Sequence, residues 1–355
     1  MYVPEVLRTV GYIVTASGRQ SSHLAHKREF HRRRAAAERQ VLTEAKADAT
    51  LFQENRCPAC GVRAGEAARF SNPVGFSFAE CPEDGTVYMD PVPTESTLAR
   101  LYNDEAYTFH WTGGKNADEV TVKTKRPLEL EHIRRVISLP RTPKPRLLDV
   151  GCATGSFLRR AGELFEAEGV ELNADMAAIA RNNGLRVTTG RIDDVPPESR
   201  FDVITMLQLI EHITDPAAHL ARAAALLRPG GIIYINTPTV DSASFRLFRD
   251  RHSHVSSFGH VSLFTRASWA PLSARVGLTL VAHEYSGERD IALHDLATWY
   301  LLRRRFRHRL ALYSPRLMYT SRLVDRLSLG LLSNALSPRG PSSYQWVILQ
   351  KPGNE

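Results

Sequence analysis

Residues 146–158 read RLLDVGCATGSFL: an apolar run ends in an aspartate and breaks into two glycines four apart. A short apolar run bounded by turn signals reads as a buried strand, with a helix beginning near Ser156. Gly151 and Gly155 remove Cβ atoms from the turn, so backbone N–H groups and a helix N-terminus face whatever binds there. A second strand, AEGVEL, follows at 167–172, and Glu171 at its end stands 20 residues past Gly151. That is the usual spacing of a carboxylate that grips ribose hydroxyls. The position where a pyrophosphate site needs a middle glycine is Ala153, which disfavours a dinucleotide.

From about 120 to 285 the strand-like runs RLLDV, AEGVEL, FDVITML and GIIYINT alternate with helix-like stretches such as ADMAAIARNNG and PAAHLARAAALL. This alternation predicts an α/β fold, a Rossmann-like seven-stranded and mostly parallel sheet closed by a final antiparallel strand, YQWVILQ. Around it the chain divides into a basic helical arm (1–50), a cysteine-bearing segment (51–110), the α/β core (120–289), a basic helical insertion (290–340) and a last strand and tail (341–355). No internal repeat is visible.

At 355 residues and 43% hydrophobic, the chain can bury a sizeable core and a smaller satellite. No run approaches the ~18 apolar residues of a membrane span, and the first residues lack the basic and small-residue pattern of a secretory signal. Four cysteines do not make a disulfide framework and suit a reducing compartment. The expected location is the cytoplasm, with the inner membrane face as a peripheral site. A formal charge of +8 keeps nucleic acid, anionic lipid and phosphorylated substrates in view without choosing among them.

The ordered blocks LLDVGCATG, GVELN, FDVITMLQLIEHITDP and LLRPGGIIYINTP resemble the class I S-adenosylmethionine-dependent methyltransferases over roughly 120–285. The resemblance implies S-adenosylmethionine as cofactor. Glu171 would hold both ribose hydroxyls, the turn from Gly151 through Cys152 and Ala153 to Gly155 would face the methionine portion, and Asp149 would orient that turn. In VTTGRIDDV, Ile192 would pack on the adenine and Asp193 would stand near its exocyclic amine. Leu172 and Gln208 complete the expected cofactor contacts.

Methyl transfer from a sulfonium is an in-line displacement, so the protein supplies alignment and, for a hydroxyl or acidic carbon, a base. QLIEHITDP places Glu211 and His212 beyond the fourth strand, at the carboxyl edge where ligands sit in open α/β sheets. SSFGHVSLFT places His260 in a block similar to the H-x-x-x-F-[ST] segment of many small-molecule methyltransferases. The expected base or acceptor-orienting group is His260, with His212 holding the strand-to-helix turn. A sharper alternative also comes from resemblance. Certain O-methyltransferases carry E-x-x-E-H and a later histidine that hold a divalent ion, matched here by Gln208, Glu211, His212 and His260, with glutamine in the place of the first carboxylate.

CPAC at 57–60 and CPED at 81–84 repeat a C-x-x-[C/D] knuckle, which predicts structural zinc on Cys57, Cys60, Cys81 and Asp84. The segment is similar to the zinc-binding stretch preceding many bacterial methyltransferase domains of natural-product and surface-glycan pathways, including two spaced tyrosines, Tyr102 and Tyr107. The arginine- and leucine-rich residues 291–336 are expected to cap the site, with docking on an anionic membrane as the rival reading. The whole predicts a methyltransferase acting at oxygen or carbon of a small molecule, most plausibly a sugar or a lipid-linked or phosphorylated glycan precursor. The competing readings are an RNA methyltransferase, against which no aromatic RNA-binding motif is present, and a non-catalytic binding protein.

Overall fold

The computed structural model describes residues 32–33, 36–65, 68–102, 128–137, 143–252, 254–255, 259–286 and 343–353. After a helix at 36–47 come five short strands: β1 (Phe52–Gln53), β2 (Arg69–Ser71), β3 (Ser77–Glu80), β4 (Val87–Met89) and β5 (Val92–Pro93). The α/β core follows with β6 (Arg146–Val150), β7 (Glu166–Glu171), β8 (Val187–Thr189), β9 (Phe201–Leu207) and β10 (Leu227–Pro238). The last three strands are β11 (Ser262–Leu263), β12 (Thr279–Ser286) and β13 (Tyr344–Gln350).

The large sheet runs β12-β13-β10-β9-β6-β7-β8. Strands β6 to β10 pair in parallel, and β13 is antiparallel to both β10 and β12. Crossover helices cover both faces, which is why the central strands are near-continuous apolar runs rather than alternating ones. Successive residues feed opposite cores: Leu148, Ile204, Ile233 and Val347 pack on one face, Leu147, Val203, Ile232 and Ile348 on the other. The crossover helices start at local signals. Asn173 accepts from the Met176 amide at 3.0 Å and Asp215 from the Ala218 amide at 2.9 Å, with Pro216 at the first helical position, each satisfying an amide that has no partner inside its own helix.

The cysteine segment is not a separate bead. Its small sheet has the order β11-β4-β3-β2, so its edge strand is supplied by the core, some 170 residues later in the chain. Cys57, Ala59, Cys81 and Tyr88 are buried in the same cluster as Leu148, Ile204 and Trp269. The expected helical insertion at 290–340, most of the basic arm and Tyr107 lie outside the described residues. Among the described residues, no helix is long and apolar enough to cross a membrane.

Candidate active site

The glycine turn after β6 behaves differently from the sequence expectation. Gly151 and Gly155 take positive φ of 72° and 81°, and Ala153 joins them at 47°. The space their missing Cβ atoms leave is taken by the protein itself. A Cβ on Gly155 would come within 2.2 Å of Leu185 Cδ1, and one on Gly151 within 3.0 Å of Leu209 Cδ1. The turn amides are also committed: Gly151 and Cys152 donate to the Val170 carbonyl, Gly155 to the Cys152 carbonyl, and Ala153 to Glu171 Oε2 at 2.9 Å. Three of these amides lock the turn onto the end of β7, and the Gly155 amide closes the turn on itself. Cys152 is likewise turned inward: a Cβ on Gly169 would meet its Sγ at 2.6 Å, and burial, with the nearby Asp149 and Glu171 charges, drives its thiol well above the ordinary range.

Two acids flank the turn. Glu171 accepts at 2.8 Å from the Asn173 amide through Oε1 as well as from Ala153 through Oε2. Burial raises its carboxyl above the ordinary value, against the pull of those amides. Asp149 is fully enclosed and receives the Thr205 hydroxyl on neighbouring β9 at 2.7 Å; burial pushes it up to about 7. Further along, Ile192 is 1% exposed and Leu172 half-buried. The Asp193 side chain, 72% exposed, lies 3.8 Å from Arg222.

The segment after β9 carries the second half of the site. Leu209 lies over Gly151, so this segment touches the glycine turn directly. Gln208 is held in a positive φ of 56°, with its side-chain amide donating to Asn236 Oδ1 at 2.7 Å. Glu211, His212 and His260 converge, one ligand atom of each lying within 4.8 Å of the others. The His212 and His260 rings meet edge-on at 4.7 Å between centroids. His212 Nδ1 contacts the Gly259 carbonyl at 2.7 Å and His260 Nδ1 the His254 carbonyl at 2.9 Å. A carbonyl only accepts, so both Nδ1 atoms donate. Glu211 is 0% exposed; Thr237 donates to its Oε2 at 2.9 Å, while Oε1 has no hydrogen-bond partner among the described residues. Burial pushes the Glu211 carboxyl up to about 8 and the His212 imidazole down to about 4. Burial thus favours the neutral form of both groups.

Cys57, Cys60, Cys81 and Asp84 form the other convergent cluster, again within 4.8 Å. Two knuckles are built alike. Gly61 donates to the Cys57 carbonyl and Gly85 to that of Cys81; Cys57 donates to Val62 and Cys81 to Thr86. Asp84 thus stands in the second knuckle where Cys60 stands in the first. The Cys60–Cys81 sulfur separation is 3.4 Å and the Cys57 Sγ–Asp84 Oδ2 separation 3.3 Å. Zinc–sulfur bonds of ~2.3 Å set sulfur–sulfur edges of ~3.8 Å in a tetrahedron, so these side chains already stand close enough to share one ion. Burial raises the Cys57 and Cys60 thiols, the latter to about 11. Burial acts upward on Asp84 too, but the Thr86 hydroxyl and amide outweigh it and keep this carboxyl below its usual value.

Sequence reasoning missed several participants. Thr237 and Asn236 at the end of β10 hold Glu211 and Gln208, and only their place at the carboxyl edge hinted at that. His254 supplies the carbonyl for His260 and packs on the Tyr344 ring at 5.2 Å. Burial, with the Glu211 charge, raises the Tyr344 hydroxyl, which brings β13 into the neighbourhood of the cluster.

A parallel sheet in this order, a glycine turn after its first strand and a buried acid ending its second define a Rossmann-like nucleotide-type core. Residues 122–283 match the family described as a methyltransferase domain. Curated relatives include the ubiquinone biosynthesis O-methyltransferase of Bradyrhizobium sp. (strain ORS 278), 32% identical over 111 residues, 29% of this chain and 43% of that protein. The protein of the same name from Xanthomonas campestris pv. campestris (strain B100) is 28% identical over 172 residues, 45% of this chain and 70% of that one. The chain therefore spans less than half the length of the Bradyrhizobium relative. Among solved structures, a SAM dependent methyltransferase from Archaeoglobus fulgidus is 17% identical, with a TM-score of 0.43 over 70% of this chain and 100% of that one.

Proposed function

We propose that this chain transfers a methyl group from S-adenosylmethionine to a hydroxyl of a small molecule. The observation that carries the reading is that Leu209, two residues before Glu211, packs on Gly151 of the cofactor turn. A ribose-gripping Glu171 and the Glu211–His212–His260 cluster are thereby two halves of one carboxyl edge. The bound cofactor supplies an activated methyl. This chain's residues hold the ribose through Glu171, seat the ligand against a pre-locked turn, and withdraw the acceptor proton at His260, whose ring is aimed by the His254 carbonyl. His212, made neutral by burial and anchored on Gly259, braces the loop that presents His260.

One observation favours a second reading. The buried Oε1 of Glu211 has no hydrogen-bond partner among the described residues and lies 3.9 Å from His212 Nε2, while the His212 and His260 rings are each held at Nδ1 by a backbone carbonyl, the arrangement that orients metal-ligating histidines. A divalent ion held there by Glu211, His212 and His260 would supply Lewis-acid polarisation of the acceptor oxygen. Zinc on Cys57, Cys60, Cys81 and Asp84 is proposed as structural, since three thiols and a carboxylate close a four-coordinate shell.

A sugar or lipid-linked glycan precursor and an acceptor of the kind methylated in ubiquinone biosynthesis are the two acceptor classes to separate, in the cytoplasm or at its membrane face. Calorimetry with S-adenosylmethionine and its demethylated product should show binding, and NAD should not bind. Incubation with methyl-labelled cofactor and fractionated cell extract should then label an ether product, in the water-soluble or the lipid fraction according to acceptor class. No binding at millimolar cofactor, or label only in RNA, would refute the reading.

A further inference from the structure

The cysteine module and the acceptor-side histidine belong to one hydrogen-bonded unit. The second knuckle (81–86) runs straight into β4, and β4 pairs with β11 as Tyr88↔Ser262 and Val87↔Leu263. Met89 then donates to the Val261 carbonyl at 2.8 Å, and Val261 donates to the Glu211 carbonyl at 2.8 Å. His260 immediately precedes this doubly tied residue. On its other side, the buried Asn72 of the β2–β3 hairpin donates from Nδ2 to the Val255 carbonyl at 3.0 Å, next to His254, whose carbonyl orients the His260 ring. The knuckles themselves are clamped from the core side. Thr265 Oγ1 donates to the Asp84 carbonyl at 2.5 Å, Thr86 and Ser268 hydroxyls meet at 2.7 Å, and Arg275 donates to the Pro58 and Ala59 carbonyls at 2.9 and 3.0 Å.

The cofactor half of the site is built on β6, β7 and β9 and takes none of these bonds. The module's directional ties therefore run to the acceptor half, and it meets the cofactor strands through apolar packing of Cys57, Cys81 and Tyr88 beside Leu148 and Ile204. We propose that the Cys57–Cys60–Cys81–Asp84 cluster is a zinc site whose occupancy positions His260, making the N-terminal module a wall of the acceptor site. The inference rests on the zinc and acceptor-site readings above. Loss of the ion leaves a buried carboxylate and three thiols without the charge that holds them together, so the knuckle loosens. The shortest route out of that loosening is Asp84 to Thr265, and β4 to β11. Cys57, Cys60, Cys81 and Asp84 act here only through others and are positioning residues.

The test uses the full chain with and without zinc, and its readouts need no turnover. Zinc content is measured by elemental analysis, His260 by the ring signals of selectively labelled histidine, backbone opening by amide hydrogen exchange, and cofactor affinity by calorimetry. Stripping zinc with a chelator should shift the His260 ring signals and raise amide exchange at 261–263 by about tenfold or more. The amides of 147–150 and S-adenosylmethionine affinity should hold within about threefold. Readdition of Zn2+ should reverse both changes. Should stripping unfold the whole chain, Thr265→Val tests the same link with all four ligands intact: it should retain one zinc per chain and still move the His260 signals. A chain that binds no zinc, or His260 signals and 261–263 exchange unmoved both by stripping and in Thr265→Val, would overturn the proposal. Failure of cofactor binding alone would sink the transferase reading and leave this one standing, because the His260 readout is made without cofactor.

Discussion

Asp149→Asn is a perturbation whose pH dependence follows from burial alone. The Asp149 carboxyl is fully enclosed, receives one hydroxyl from Thr205 and is pushed up to about 7, against ~3.9 in an unfolded chain. Between those values the folded state holds a proton that the unfolded state has released. Stability therefore falls as pH rises through this window and levels off above about 7. Some three units at ~1.4 kcal/mol each put the full effect on the order of 4 kcal/mol. Asparagine keeps an acceptor for Thr205 but buries an amide NH2, a pH-independent cost of ~1–3 kcal/mol. The variant should thus be less stable than wild type near pH 4, cross it between about pH 4.5 and 6, and exceed it by ~1–3 kcal/mol near pH 8. Urea unfolding of both proteins at half-unit steps measures the difference curve, in which the shared contributions of Glu171 and Glu211 largely cancel. A difference that stays flat from pH 4 to pH 8 would refute the argument that Asp149 is carried as a destabilised anion at neutral pH.

Other expectations follow from the same geometry. Glu171→Gln keeps an acceptor for one turn amide but loses the charge-assisted bonds to a ribose diol, so S-adenosylmethionine affinity by calorimetry should fall about 10- to 100-fold. Because burial raises Glu171, removing its charge should not lower the melting temperature at pH 8; a fall of many degrees would show that the amide contacts dominate. His260→Ala should reduce turnover ~10²–10⁴-fold with cofactor affinity nearly unchanged, whereas His212→Ala should also lose stability with its Gly259 anchor. Stimulation of the wild type alone by added Mg2+ or Mn2+, with Glu211→Gln abolishing the effect, would move the assignment from base to ion. Asp84→Cys should hold zinc against a competing chelator at least about tenfold better, since thiolate is the softer donor; weaker retention would take Asp84 out of the coordination shell.

How much of this was legible depends on the range over which each signal acts. The β6 run, its turn and Glu171 were readable because periodicity, glycine and a fixed βαβ spacing are local properties, and the sheet follows once both faces of the strands are apolar. The second knuckle was readable as a repeat of the first, with Asp84 at the offset of Cys60. Composition could not say what fills the space beside each glycine. Leu185 and Leu209, not a ligand, occupy it, because a missing Cβ records that something is near and not what it is. Nor could a sequence show that β11 would complete the cysteine module's sheet. Two-residue strands have no periodicity to detect, and the partners Thr265 and Asp84 stand far apart along the chain. The same holds at the acceptor cluster. Glu211, His212 and His260 drew attention by residue type, but what sets their protonation and aim is a set of backbone carbonyls at Gly259 and His254 and one hydroxyl at Thr237. Any residue can offer a carbonyl, so sequence carries no mark of it. For this fold the chemistry-bearing atoms are named by side chains, while their orientation is delegated to the main chain, and that division decides which half can be read before the structure is seen.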